Sequence, residues 1–311
     1  MATVLAWHPQ PIPVLPVVAV VLLLTYAVGV VVLRLRGDRW PVGRSIMWAA
    51  GLAIVLCVSC TGIDGYGMEL FSIHMIQHMV LNMLAPVFLV LGAPVTLLLR
   101  VLPGGSGSKG LARRTVLRVL HSTVASIVTH PVVTFALFVM SLYGLYFTAL
   151  FDYLMGTWWG HNLMLIHFIL IGYLYFWGIV GVDPSPRHSK RGLRAVSGPV
   201  LPVLELGATA PFHAFFGVVV MMSTTLMVHF YAVPMPGWNI SPIADQGVGG
   251  GIAWGFTELP TLVVLGVLVL KWQKSDARKN AAAERRMARV GDVDMDDYNS
   301  YLQGLSSRDE S

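Results

Sequence analysis

The 311 residues are 55% hydrophobic and only 12% charged, with a mean hydropathy of +0.68. Soluble domains carry about 25% charged residues, so this composition excludes a soluble enzyme and, for most of the chain, disorder. A net charge of +5 would hint at nucleic acid in a soluble protein, but here the charges are distributed as in a membrane protein, so no nucleic-acid partner is expected; two cysteines give no disulfide framework.

A transmembrane helix needs about 20 mostly apolar residues. Seven such runs follow one another: Pro13–Leu33, Ile46–Gly62, Phe71–Leu99, Ile127–Leu150, His161–Val182, Val200–Tyr231 and Gly250–Leu270. The third and sixth exceed one span and contain Pro86, Pro94, Pro202 and Pro211, which predicts kinks or tilt. The runs are continuous and do not alternate, which argues against a β-barrel. The connections alternate in chemistry. The first holds Arg34, Arg36, Arg39 and Arg44; the third Arg100, Lys109, Arg113, Arg114 and Arg118; the fifth Arg187, Lys190, Arg191 and Arg194; the C-terminal tail holds the rest of the 21 basic residues. The second, fourth and sixth carry none, and hold Asp64, Glu69, Asp152 and Asp245 instead. The positive-inside rule then places the N-terminus outside and the C-terminus in the cytoplasm. The expected fold class is all-α, a polytopic membrane bundle of seven transmembrane helices. Residues 1–12 form a short extracytoplasmic N-terminus, 13–271 the membrane domain and 272–311 a cytoplasmic tail, partly disordered. The first span lacks a basic leader and a cleavage site and reads as a retained helix. Ala281–Val290 predicts a short basic surface helix, and Pro103–Ser108 a flexible turn.

Ionisable groups inside a span are costly and mark function by default. His74 and His78, at i and i+4, share one helix face about 6 Å apart along the axis. Asn82 continues that face, with Met75 and Met79 beside it. Imidazole and thioether together suit copper, Cu(I) above all, better than calcium or magnesium. The Glu of a zincin motif is absent, because Met75 stands in its place. His167 lies seven residues into the fifth span, as His78 does into the third, so equal depth predicts an ion shared by the two. His161 reads as an interfacial residue beside Trp158 and Trp159. His213, after Pro211, sits deeper than His229 and belongs either to an inner site or to a carbonyl freed by the proline. Glu258 is a lone acid in the seventh span and reads as support for the histidines, while Glu205 reads as structural. Cys57 and Cys60 are two thiols at i and i+3, either Cu(I) ligands or small hydrophobes.

Several stretches together resemble one family. They are His74-Met75-Ile76-Gln77-His78-Met79 with Ala85-Pro86 and Leu91-Gly92-Ala93-Pro94-Val95; His167-Phe168 through Phe176-Trp177 to Gly181-Val182-Asp183-Pro184; Pro211-Phe212-His213-Ala214 with Gly217; and Ala244-Asp245-Gln246 with Gly250-Gly251 and Trp254-Gly255. In this order they resemble the multi-spanning CtaG family of cytochrome c oxidase assembly proteins, over roughly residues 60 to 270. The resemblance implies a role in supplying copper to a haem-copper oxidase, with His74, His78, His167, His213, Asp245 and Glu258 as matching residues. The family pattern places polar residues just ahead of the fifth-span histidine. Leu163 and Ile166 stand there, which leaves one ligand position to His161 or a methionine.

The function expected is a non-enzymatic assembly factor in the bacterial plasma membrane. It binds Cu(I) through His74, His78, His167 and His213, with Glu258 and Met79, and passes it to cytochrome c oxidase subunits. An extracytoplasmic copper donor and a homo-oligomer are compatible with this. The alternatives are a haem-binding membrane cytochrome, since histidines of equal depth on two helices also ligate haem, and a copper permease.

Overall fold

The structure, a computed structural model, describes residues 13–105, 107, 110–186, 200–233, 237, 239–256, 258–290, 295 and 297–303. The expected readings of residues 1–12, of the fifth basic connection and of the last residues of the tail lie outside these. The chain divides into two compact units, residues 1–265 and 266–311. Among the described residues every regular element is helical.

The first unit begins with α1 (Val14–Leu35) and α2 (Val42–Cys60), followed by the short α3 (Gly62–Gly67). The third apolar run is broken as its prolines predict. α4 (Phe71–Met79) widens into a π-turn over Val80–Leu84, continues as α5 (Ala85–Leu91), stops at Ala93 and restarts as α6 (Pro94–Val101). Pro86 is the cause of the first break: it offers no N–H to the carbonyl four residues back, on Asn82, and its ring crowds that carbonyl. Ala93 causes the second, with φ of +52°, the one left-handed non-glycine residue among those described. Two helices not anticipated, α7 (Leu111–Leu120) and α8 (Thr123–Val128), occupy the third connection and bury no residue. The fourth run gives α9 (Pro131–Tyr146), whose start is capped by the His130 ring accepting from Val132 N–H, and which is shorter than the expected Ile127–Leu150. Then come α10 (Leu150–Met155) and α11 (Gly160–Val180).

α12 (Val200–Met222) ends nine residues before the predicted Tyr231. The reason lies in where the backbone donors go. Met227 N–H donates to Gln246 Oε1 at 2.8 Å, and His229 and Phe230 N–H donate to the Asp152 carboxylate at 3.2 and 2.9 Å. These side chains take donors that helix continuation would need. α13 (Pro242–Phe256) and α14 (Glu258–Val290) replace the single seventh span predicted for Gly250–Leu270. The predicted basic helix Ala281–Val290 is the end of α14. From Lys271 onward the described side chains of α14 are largely polar and mostly exposed.

Among the described residues six apolar stretches are long enough to cross a membrane: Val14–Leu35, Val42–Cys60, Phe71–Val101, Gly160–Val180, Leu201–Met222 and Pro242–Arg285. α9 is apolar but has 16 residues, about 24 Å against a hydrocarbon core of about 30 Å. The broken third span is the centre of the bundle. α13 packs on α4, α2 and α11 pack on α5, and α11 also meets the π-turn. α9 and α12 close the other side of α11, and α1 lies outside α2 and α6.

Glycine sets the closest approaches. A Cβ on Gly172 would stand 2.1 Å from the Asn82 carbonyl oxygen, so α11 can touch the π-turn only without a side chain there. Gly217 and Gly250 do the same between α12 and α13, where Cβ atoms would meet the facing backbone at 2.6 and 2.4 Å. Small residues at such crossings are how membrane helices gain van der Waals contact when lipid offers no hydrophobic drive.

Candidate metal centre

The start of α4 is held in place from a distance. Phe71 N–H donates to Asp245 Oδ2 at 2.7 Å, Ser72 N–H to the same oxygen at 3.3 Å, and the Ser72 hydroxyl to Oδ1. Asp245 thus caps α4 from α13, satisfying donors that a helix start leaves open. Asp183 does the same for α6, accepting from Val95 N–H at 2.9 Å and Thr96 N–H at 2.8 Å. It reaches them because Gly181, at φ +55°, turns the chain sharply after α11. Burial pushes the Asp183 carboxyl up, against the opposing pull of the Thr96 and Val95 donors and of Arg44. These contacts join distant motifs: Gly181-Val182-Asp183-Pro184 to Ala93-Pro94-Val95, and Ala244-Asp245-Gln246 to the helix that carries His74.

Clamped in this way, α4 turns its polar face inward. His74, Gln77 and His78 are completely buried, as are Asn82 of the π-turn and His213 of α12. His74 sits among rings, with centroids of Phe151 at 5.0 Å, His161 at 5.9 Å, Tyr146 and Phe168 at 6.3 Å and Tyr231 at 6.4 Å. His78 lies flat against Phe168, with centroids 3.8 Å apart, and stacks on Tyr146 at 5.5 Å. Its Nδ1 hydrogen-bonds the Tyr146 hydroxyl at 2.8 Å. His213 packs against Phe138 at 5.1 Å.

Most of these polar atoms make no hydrogen bond. Both ring nitrogens of His74 and of His213, Nε2 of His78 and both amide atoms of Asn82 are buried without a partner. A buried polar group left unsatisfied costs about 1–3 kcal/mol, and native interiors keep few of them. Such a set on α4, the π-turn and α12 offers the donor chemistry that a ligand site needs. The π-turn within it adds to this, since single π-turns recur at functional sites.

The second-helix histidines are distributed otherwise than depth predicts. His161, expected at the interface, is only 7% exposed. Its Nε2 bonds Gln77 Oε1 at 3.3 Å, and its Nδ1 lies 4.0 Å from Asp64 Oδ1. His167 is exposed on the flank of α11 and bonds the Ser141 hydroxyl at 2.8 Å. His78 and His167 therefore occupy different surroundings. The physical reason is azimuth. The buried line of α11 runs through His161, Met164, Leu165, Phe168, Gly172, Tyr175 and Phe176; at about 100° per residue His161 falls on that line and His167 well off it. That line is legible in the sequence from Phe168, Gly172 and Phe176 alone, and it would have found His161.

Of the other candidates, Met79 is fully buried, with Met75, Met83 and Met164. Cys57 is exposed and Cys60 buried, so the pair does not face one cavity. Glu258 begins α14, and its side chain lies outside the described residues. Among the described residues no group of three or more His, Cys, Asp or Glu side chains is arranged to hold a metal ion.

The family model for cytochrome c oxidase caa3 assembly factors matches residues 24–275, which takes in every residue of this cluster. The chain is 46% identical over 291 residues to an uncharacterized protein of Mycobacterium bovis and equally to one of Mycobacterium tuberculosis, covering 92% of this chain and 43% of each relative. An uncharacterized protein of Mycobacterium leprae is 42% identical over 296 residues, covering 93% and 43%. The chain thus spans less than half the length of these relatives, and no solved structure matches it. The match of the family model across the whole histidine-bearing bundle means that the chain belongs to the cytochrome c oxidase caa3 assembly factor family.

Proposed function

We propose that the protein is an assembly factor that holds copper among the buried histidines of α4 and supports its delivery to a cytochrome c oxidase in the same bacterial plasma membrane. The observation that carries this reading is the set of unpartnered buried nitrogens on His74, His78 and His213. Neutral imidazole is a good copper ligand, and the buried thioethers around the site are soft enough for Cu(I). The residues fit the ion as cargo in a further respect: few ligands close the site. A four-ligand cage would retain metal, whereas a sparse set of imidazoles can release it to a partner.

The topology that goes with this function has seven crossings, with α9 as the fourth, the N-terminus outside and the C-terminus in the cytoplasm. Supporting it, residues of the first and third connections meet at one end of the first unit. There Arg36 donates to the Val101 carbonyl at 2.7 Å, and Arg44 and Arg100 lie over the Trp40 ring at 5.1 and 5.7 Å. Residues of the second, fourth and sixth connections meet elsewhere, through Asp64, Asp152 and Tyr231, whose hydroxyl donates to the Gly67 carbonyl at 2.7 Å. A chain that runs from one group to the other must pass along α9. By the positive-inside rule the acidic end, and with it His74, faces out, the side from which oxidase copper centres are loaded.

In cells, His74→Ala is expected to insert normally and yield oxidase deficient in copper, with its haem content less affected. Oxidase with full copper in that strain would refute the proposal.

A further inference from the structure

We propose that His161 is a copper ligand, paired with His74 across the gap between α4 and α11, with Asp64 as the counter-charge. This rests on the copper reading above and names the ligand that equal depth had assigned to His167.

The orientation of Gln77 leaves no choice. Its Nε2 donates to the Val58 carbonyl and to Asp64 Oδ1, each at 2.8 Å. With both N–H groups committed, the Oε1 that faces His161 Nε2 at 3.3 Å can only accept. His161 must therefore carry its proton on Nε2. The lone pair of a neutral ring is then on Nδ1. That atom faces Asp64 Oδ1 at 4.0 Å. A lone pair and a carboxylate oxygen facing each other inside the protein repel until a proton or a metal cation stands between them, and Asp64 supplies the charge that either one needs.

His74 supplies the second ligand. It is fully buried, has two ring nitrogens without a partner, and its ring centroid is 5.9 Å from that of His161. Two imidazoles whose nitrogens each stand about 2.0 Å from one ion have centroids roughly 5.5–6.3 Å apart, for N–metal–N angles from about 120° to linear. The observed separation lies within that range with no movement of either helix. Two neutral imidazoles suffice for Cu(I), which accepts two-coordinate geometry, whereas zinc takes four ligands. Charge favours the same ion: one carboxylate neutralises Cu(I) but leaves a divalent ion with a net charge in a buried site. Asp64 and Gln77 act here as positioning residues. They fix the tautomer and rotation of a ligand, as carboxylates and carbonyls do behind most metal-binding histidines.

The test uses the full chain, purified in detergent under reducing conditions and titrated with Cu(I) against bicinchoninate, with copper X-ray absorption on the loaded protein. Wild type is expected to bind Cu(I) with two imidazoles in the absorption spectrum. His161→Ala should lose about ten-fold or more in affinity, and His167→Ala should keep both affinity and ligand count. His161→Met, which offers a thioether at the same place, should bind with sulfur scattering replacing one imidazole. This keeps the test decisive should the alanine variant not fold. Gln77→Leu should weaken binding while leaving two imidazoles on the metal. Wild-type protein that binds Cu(I) through His74 while His161→Ala matches it in affinity, or His161→Met without copper–sulfur scattering, would overturn the pairing alone. Wild-type protein that binds no Cu(I) would overturn the pairing and the copper reading together.

Discussion

Asp245, Asp183 and Asp152 each take two consecutive backbone N–H groups from a segment far away in sequence. In the sequence Asp245 and Asp152 read only as the acidic half of a charge pattern, and Asp245 also as a motif residue. Their role is to hold the ends of helices and a loop. Asp245→Ala leaves two N–H groups and a hydroxyl without their acceptor at the buried start of α4, so it should destabilise the protein by about 1–3 kcal/mol, read as a lower midpoint of thermal unfolding in detergent. Asp245→Asn keeps one side-chain oxygen and should recover part of the loss. A midpoint unchanged in Asp245→Ala would show that the cap does not bear on stability. His74, His78 and His213 were legible as candidates because a histidine inside an apolar run stands out. His161 stands out only as an interfacial residue or a substitute for a missing ligand, because its burial follows from rotation about α11 and not from depth along it.

At the scale of elements, the apolar runs located most helices within a few residues, since length and hydropathy decide them. Ends were less legible where long-range side chains take the backbone donors, as Gln246 and Asp152 do beyond Met222. The breaks in the third run were legible from Pro86 and Pro94, but the π-turn just ahead of Pro86 was not. It depends on what the Asn82 carbonyl meets, and that is Gly172 of α11. Gly172→Ala would place its Cβ 2.1 Å from that oxygen. Backbone must move to admit it, so the variant should unfold at markedly lower temperature or fail to accumulate in the membrane. Gly144→Ala on α9, where a Cβ meets nothing within 4 Å, is the control and should behave as wild type or better. Equal behaviour of the two variants would contradict the close crossing of α11 over the π-turn.

For the whole molecule, the proposed topology puts the basic connections on one side and the acidic ones on the other. The topology is checked by impermeant maleimide on intact cells, in a background with Cys57 and Cys60 replaced by alanine. Trp158→Cys, at an exposed position between α10 and α11, should react. Gly104→Cys, in the basic third connection, should react only after the cells are opened. The reverse pattern would put the histidine cluster on the wrong side for loading an oxidase. The central claim, that the buried histidines of α4 hold copper, is tested most directly by metal analysis of the purified protein. Wild type should retain copper and show no Soret absorbance, and the variant His74→Ala/His78→Ala, inserted and folded, should lose most of the metal. Copper retained in full by that variant, or a haem absorbance in wild type that disappears with the two histidines, would contradict the account.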